Sequence, residues 1–288
     1  MSVRTALETW RLRAGRARDA CILATRVHTV AQRPLPEFVI LGAQKAGTSS
    51  LYARLAAHPR VVPALRKEVH YFDTHSEADP DRYRAFFPTE QQLTHAAQRA
   101  GARAITGEAT PYYLFHPAAP ARARRVIPDA RLIAVVRDPV ARAVSGYHHA
   151  VRFGHERRPI EVALDPRHEE RLANVADEEW YDGRSSPARL RGYLARGRYA
   201  EQLERWIAHY PGDQVLVVES AALRARDALA RVFEFLGLDL DQTDVTPDRN
   251  VGSYPAPPAR VVESLSEYFA RYNEDLFALL GERFDWSR

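Results

Sequence analysis

The stretch Phe38-Val39-Ile40-Leu41 runs straight into Gly42-Ala43-Gln44-Lys45-Ala46-Gly47, and from there into Thr48-Ser49-Ser50 and a segment carrying Leu51 and Leu55. A short continuous apolar run of this kind is the pattern of a strand buried on both faces, and Leu51 and Leu55 recur at helical spacing until Pro59 closes the helix. Strand, glycine-bearing loop and helix in that order gather backbone N–H groups and the positive end of a helix around one point, which suits a phosphate. Two further units repeat the arrangement. Arg131–Val136 ends at Arg137-Asp138-Pro139, where Asp138 is placed as an N-cap and Pro139 at the first helical position. Gln214–Val218 precedes a helical pattern through Leu229, Val232, Phe233 and Leu236, with Gly237 as its stop signal. Strands separated by helices predict a parallel sheet covered on both faces.

The glycine spacing equals that of the ATP/GTP phosphate loop, but the lysine is elsewhere. Gly47 is followed directly by Thr48, and the loop's lysine is Lys45. A kinase of that type would also place a carboxylate at the end of another strand to hold Mg²⁺. The strand at 131–136 delivers Arg137 instead, a cation better suited to a second phosphate. Ser145 lies on the following helix on the same face as Asp138 and Arg142, so Arg137 and Ser145 form a candidate clamp for a phosphate monoester. The fold expected is α/β, a P-loop-like three-layer sandwich with a central parallel sheet flanked by helices. Of the 41 basic residues only Lys45 and Lys67 are lysines. In so arginine-rich a chain a retained lysine points to a need for an ammonium rather than for any positive charge.

Composition bounds the rest. The 288 residues, 45% of them hydrophobic, suffice for a real core, and a net charge of +4 hints at an anionic ligand without indicating a nucleic-acid binder. One cysteine, Cys21, leaves no intrachain disulfide and too few thiolates for a structural zinc site, so a reducing, cytoplasmic setting is expected. No run reaches the length of a membrane span. Residues 1–36 read as a basic helical segment and linker ending at Arg33-Pro34-Leu35-Pro36, packed on the surface, with membrane-surface contact through residues 1–30 as the alternative. Residues 37–288 form the main domain, with a mostly helical insertion over 150–212 and a closing helix over 261–280.

The stretch from Phe38 to Asp73, with the loop above and then Lys67-Glu68-Val69-His70-Tyr71-Phe72-Asp73, resembles sulfotransferases that use 3′-phosphoadenosine 5′-phosphosulfate. Within them it is most similar to the heparan sulfate sulfotransferase-like branch and its bacterial relatives. Arg137-Asp138-Pro139-Val140-Ala141-Arg142-Ala143-Val144-Ser145-Gly146-Tyr147 resembles the family's 3′-phosphate segment, and Gly281–Trp286 its C-terminal ending. The resemblance implies that Lys45, Ala46, Gly47, Thr48 and Ser49 hold the 5′-phosphosulfate, and that Arg137 and Ser145 hold the 3′-phosphate. It further implies a loop over that phosphate carrying Arg249, Gly252 and Ser253. Glu68 matches the catalytic base, with His70 and Asp73 beside it in the substrate cleft and Tyr112 and Tyr199 as further substrate-side residues. The implied reaction moves a sulfuryl group in line to a hydroxyl, or as second choice an amine, of a glycan or small molecule, with 3′-phosphoadenosine 5′-phosphate as product and no metal. A Mg-ATP-dependent kinase and an inactive nucleotide-binding protein are the alternatives.

Three departures stand out. Ala109 occupies the place of a lysine before Thr110-Pro111, Ser49 stands where those enzymes often have an arginine, and the cysteine-bearing C-terminal loop is missing. These leave the donor site largely intact and weaken the transfer of a polysaccharide substrate. Elsewhere, adjacent His148 and His149 point in different directions and do not suggest a shared metal. The cluster Arg184, Arg189, Arg191, Arg196 and Arg198 reads as the solvated side of helices, with an entry for an anionic acceptor as the alternative.

Overall fold

The computed structural model describes residues 15, 17–74, 79–167, 181, 186–240 and 254–286. Four strands, β1 (Phe38–Gly42), β2 (Gly107–Ala109), β3 (Arg131–Val136) and β4 (Val215–Glu219), form one sheet in the order β2-β1-β3-β4. Every neighbouring pair is parallel. Around the sheet lie α1 (Thr48–Ala57), α2 (Glu90–Ala100), α3 (Ala119–Val126), α4 (Pro139–Arg152), α5 (Tyr199–Ile207), α6 (Arg226–Phe235) and α7 (Ala259–Leu280). This is the expected α/β sandwich.

The central strands match their sequences. All five residues of β1 and the last five of β3 are buried, as unbroken apolar runs require. β4 departs from that pattern, since Val218 is its one buried residue. Its position at the sheet edge leaves one side of the strand unpaired, and its apolar residues are half covered. Asp138 caps α4 as predicted, accepting from Val140 N at 3.0 Å and Ala141 N at 3.1 Å, with Pro139 opening the helix. Gly237 follows α6 with a φ of 66°.

Because β1 has β2 on one side and β3 on the other, the chain leaves the sheet in opposite directions from its centre. A crevice opens at the carboxyl ends of β1 and β3, the usual ligand position in such sheets. Gly42 is required there. A Cβ at that position would lie 2.7 Å from Leu114 Cβ and 2.9 Å from Pro111 O, so only glycine lets the loop close against the segment after β2.

Before β1, residues 17–26 are helical and Val27–Gln32 form a 3-10 turn. The following linker is docked: Arg33 is buried, its guanidinium donates to Phe87 O at 2.6 Å, and Arg84 donates to Arg33 O at 2.6 Å. No described helix is long and apolar enough to cross a membrane. Residues 1–14 lie outside the described residues, as do Arg184, Arg249, Gly252 and Ser253.

Candidate active site

The loop after β1 is tied to the sheet and open at its tip. Ala43 N donates to Val135 O at 2.7 Å, and Gly47 turns the chain with a φ of 95° into the first turn of α1. That turn has no side-chain cap and no acidic residue, so its positive end is not answered from within the helix. Ala46 and Thr48 are buried and Ser49 is half-buried, which leaves backbone N–H groups as the loop's main contribution at those positions. Arg137, just beyond β3, donates to Lys45 O at 3.1 Å, and Tyr199 donates to Arg137 O at 2.9 Å. Ser145 lies on α4 and is buried.

Burial lowers the pKa of Lys45 below its ordinary value, and the neighbouring Arg137 and Arg152 lower it further; Glu68 pulls the other way. A lysine held among cations carries an unmet demand for an anion. His149 belongs to the same space. Burial first, then Lys45, push its imidazole down to about 4, so it is neutral at pH 7.

Segment 67–73 leans on the end of β2: Glu68 N donates to Ala109 O at 2.9 Å. Glu68 Oε1 accepts from Lys67 Nζ at 2.9 Å, and Glu68 Oε2 lies 3.4 Å from His70 Nε2. His70 Nδ1 is 2.8 Å from Asp73 Oδ2, which also accepts from Arg189 Nη2. The Glu68 side chain stays 47% exposed, so this carboxylate is open to solvent and can be reached from outside. Burial alone would raise its pKa, but the His70 hydrogen bond and Lys67 outweigh that and hold it well below the usual carboxylate range. His70 is raised, since bonds to Asp73 and Glu68 overcome the opposing effect of burial. Asp73 is lowered in the same way: burial raises it, and His70 and Arg189 more than reverse that.

Among the described residues, Lys45, Glu68 and His70 are the non-glycine residues with positive φ, at 72°, 63° and 57°. Such backbone costs free energy and concentrates where a side chain must be aimed. Three separate positions that sequence reasoning selected for chemistry carry it.

Behind this segment lies a residue the sequence did not single out. Glu108, in the middle of β2, is completely buried and accepts from Tyr83 Oη at 2.7 Å, Tyr113 Oη at 3.0 Å and Thr110 Oγ1 at 2.6 Å. Thr110 Oγ1 meets His70 N at 3.4 Å and Tyr113 Oη accepts from Tyr71 N at 2.8 Å, so one carboxylate braces the strip that carries Glu68 and His70. A glutamate in so short a strand gives little signal. The clue available was its neighbourhood, with Thr110 and two tyrosines within five positions.

Several expectations need correction. Tyr199 is 1% exposed and spends its hydroxyl on the Arg137 carbonyl, so it holds the Arg137 backbone from the core and is not a surface residue that a substrate could meet. Tyr112 is also buried, its hydroxyl donating to Tyr181 O at 3.0 Å and its ring lying under two guanidinium groups. Asp73 is completely buried and meets His70 and Arg189 instead of the cleft. Of the arginine cluster, Arg191 is exposed as expected, but Arg189, Arg196 and Arg198 are not solvated. Their guanidinium groups stack on Tyr112, Phe115, Tyr268 and Tyr272, which a planar cation does well. His148 stacks on Tyr254 at 4.4 Å, and the His149 ring lies tilted against Phe153 at 4.8 Å.

A parallel sheet with a phosphate-type loop at β1, an arginine at the end of β3 and an ion-paired carboxylate beside them defines a P-loop-like α/β protein built to receive an anion. The model of the sulfotransferase domain family matches residues 35–254, and the chain belongs to that family. It is similar to human heparan sulfate glucosamine 3-O-sulfotransferase 3B1, 30% identical over 280 residues covering 88% of this chain and 65% of that enzyme. With human heparan sulfate glucosamine 3-O-sulfotransferase 6 it shares 30% identity over 281 residues, 88% of this chain and 75% of that one. The chain spans just under two thirds of the human 3B1 and 3A1 enzymes, 65% and 63% of their lengths. The crystal structure of a sulfotransferase from Alicyclobacillus acidocaldarius superimposes with a TM-score of 0.62 at 29% identity, over 88% of this chain and 100% of that one.

Proposed function

We propose that this chain transfers the sulfuryl group of 3′-phosphoadenosine 5′-phosphosulfate to a hydroxyl group of a glycan or small molecule, with an amine as second choice. The observation that carries the reading is that Lys45 in the loop after β1 and Glu68 in the segment beside β2 share the left-handed backbone and lie near enough for the Glu68 charge to act on Lys45. The residues present fit the donor. Lys45, Gly47, Thr48 and Ser49 would hold its 5′ end at the uncapped start of α1, and Arg137 with Ser145 would hold its 3′-phosphate. Asp138, the acidic residue at the end of β3, is turned back to cap α4, so the charge offered there is cationic.

Bound in this way, the donor supplies an activated sulfuryl group with a phosphate leaving group. Glu68 accepts the proton of the acceptor hydroxyl as its oxygen bonds to sulfur. Lys45 neutralises the charge that builds on the departing phosphate oxygen as the old sulfur–oxygen bond breaks. The glycan part of the proposal draws support from the names of the human relatives, and Ala109 argues for an acceptor less acidic than theirs.

Calorimetry tests the donor half. 3′-Phosphoadenosine 5′-phosphate should bind without Mg²⁺ and about tenfold or more tighter than ADP, which lacks the 3′-phosphate. A preference for Mg-ATP would sink the reading in favour of a kinase. The pH dependence of the same binding is a second expectation. An anion beside Lys45 raises a pKa that is lowered in the free protein, so affinity is full below the free value and falls as pH rises through it. Binding in that window should take up a proton, seen as a buffer-dependent enthalpy. An affinity that is flat across the alkaline range would remove Lys45 from the site.

A further inference from the structure

The short helix Pro187–Arg191 and the 3-10 turn Ala195–Gly197 lie in the insertion, and their arginines reach toward both halves of the site. Ser186 caps the helix by accepting from Arg189 N at 3.3 Å. Arg189 Nη2 bonds Asp73 Oδ2 and lies 2.8 Å from His70 Nδ1, while its guanidinium carbon sits 4.2 Å from the centre of the Tyr112 ring. Arg196 Nη1 bonds Gln44 Oε1 in the phosphate loop, and its Nη2 bonds the carbonyls of Ala188 and Arg189. One small structure thus touches the donor loop with one arginine and the partners of Glu68 with the other.

The proton inventory says what Arg189 does there. A guanidinium only donates, so Asp73 Oδ2 is the acceptor for both Arg189 and His70. His70 Nδ1 then carries a proton toward Asp73, and bonding Glu68 as well requires a proton on Nε2. The imidazolium meets both carboxylates, while a ring protonated on Nε2 alone meets Glu68 and accepts from Arg189 at Nδ1, so Arg189 holds His70 through Asp73 in the first form and directly in the second. We propose that Arg189 is a positioning residue for the Glu68–His70 pair: it fixes Asp73, which fixes His70, which bonds Glu68. The proposal rests on Glu68 being the base.

The charges facing His70 are Glu68 and Asp73 on its own segment, Arg189 from the insertion and Glu108 from β2, with Lys67 acting through Glu68. Removing Arg189 takes away the cation nearest to His70 and leaves Asp73 to it alone. In Arg189→Gln, the His70 titration followed by nitrogen NMR, with the signal assigned from a His70→Gln spectrum, should therefore move up by about one unit. Affinity for 3′-phosphoadenosine 5′-phosphate should stay within about twofold, because Arg189 does not face the donor. Arg191→Gln, at an exposed position on the same helix, should move neither. Arg189→Lys keeps the charge and should hold the His70 titration at its wild-type value. This also tests the proposal should the Gln variant fail to fold. An unmoved His70 titration in the Gln variant, or a Lys variant displaced from wild type, overturns the proposal. Failure of the wild-type protein to bind 3′-phosphoadenosine 5′-phosphate would instead overturn the sulfotransferase reading and leave the titration result standing.

Discussion

Replacing Glu68 by Gln is expected to slow sulfuryl transfer by about 10²–10⁴-fold, the usual worth of a positioned general base. The amide keeps the size of the side chain and the backbone bond from residue 68 to Ala109 O at 2.9 Å, but it cannot take the acceptor's proton. Donor affinity should be equal or slightly tighter. Glu68 is the negative charge that Lys45 feels across the crevice, and removing it lifts a repulsion from an anionic donor. Transfer of labelled sulfate to an acceptor turned over by the wild-type protein, with calorimetry of 3′-phosphoadenosine 5′-phosphate in parallel, separates the two effects. A wild-type rate would place the base elsewhere, and a large loss of donor affinity would move Glu68 into the donor site. The pH profile adds a sign. Because Lys67 and His70 hold Glu68 well below the ordinary carboxylate range, its ionised form persists to lower pH. The wild-type rate should accordingly not fall through the region of about pH 4–5 where an unperturbed glutamate protonates.

What the sequence made legible is what local chemistry determines. β1 and β3 declare themselves because a strand buried on both faces must be apolar throughout, and Asp138-Pro139 marks the start of α4 because capping is decided within four residues. Lys45, Glu68, His70 and Arg137 stand at loop positions after strands or beside them, where a charged residue has no packing reason to be. The misplacements share a different cause. Tyr199 and Tyr112 are amphipathic, and spacing alone does not say whether a tyrosine turns its ring to the core or its hydroxyl to a cleft. Arg189 and Arg196 look like any surface arginines until Tyr112 and Asp73, both far earlier in the chain, are folded against them. In β4 the apolar run shows the strand but not its place in the sheet, which the strand order sets at the edge.

Glu108→Ala is expected to be the most destabilising single change in the site region, at about 4 kcal/mol. It orphans the hydroxyls of Tyr83, Tyr113 and Thr110, each costing about 1–3 kcal/mol when left unpaired, with water in the vacated space relieving part of that. The rate per folded molecule should fall as well, because Thr110 and Tyr113 would no longer be held where they meet His70 N and Tyr71 N. Denaturant unfolding gives the first quantity, and transfer measured well below the melting temperature gives the second. A loss under about 1 kcal/mol would mean the three hydroxyls find other partners. Glu108→Gln keeps an acceptor oxygen and should cost less, and its comparison with wild type isolates the proton. Burial raises the Glu108 carboxyl above its ordinary value despite the three donors. A group raised in the folded state contributes stability that is complete below its unfolded pKa and declines as pH rises through the folded one. The stability of wild type over Glu108→Gln should therefore shrink as pH rises from about 4. A difference that grows over that range would mean Glu108 is ionised more easily in the folded protein than in the unfolded chain, with its three hydroxyl donors overcoming the cost of burial.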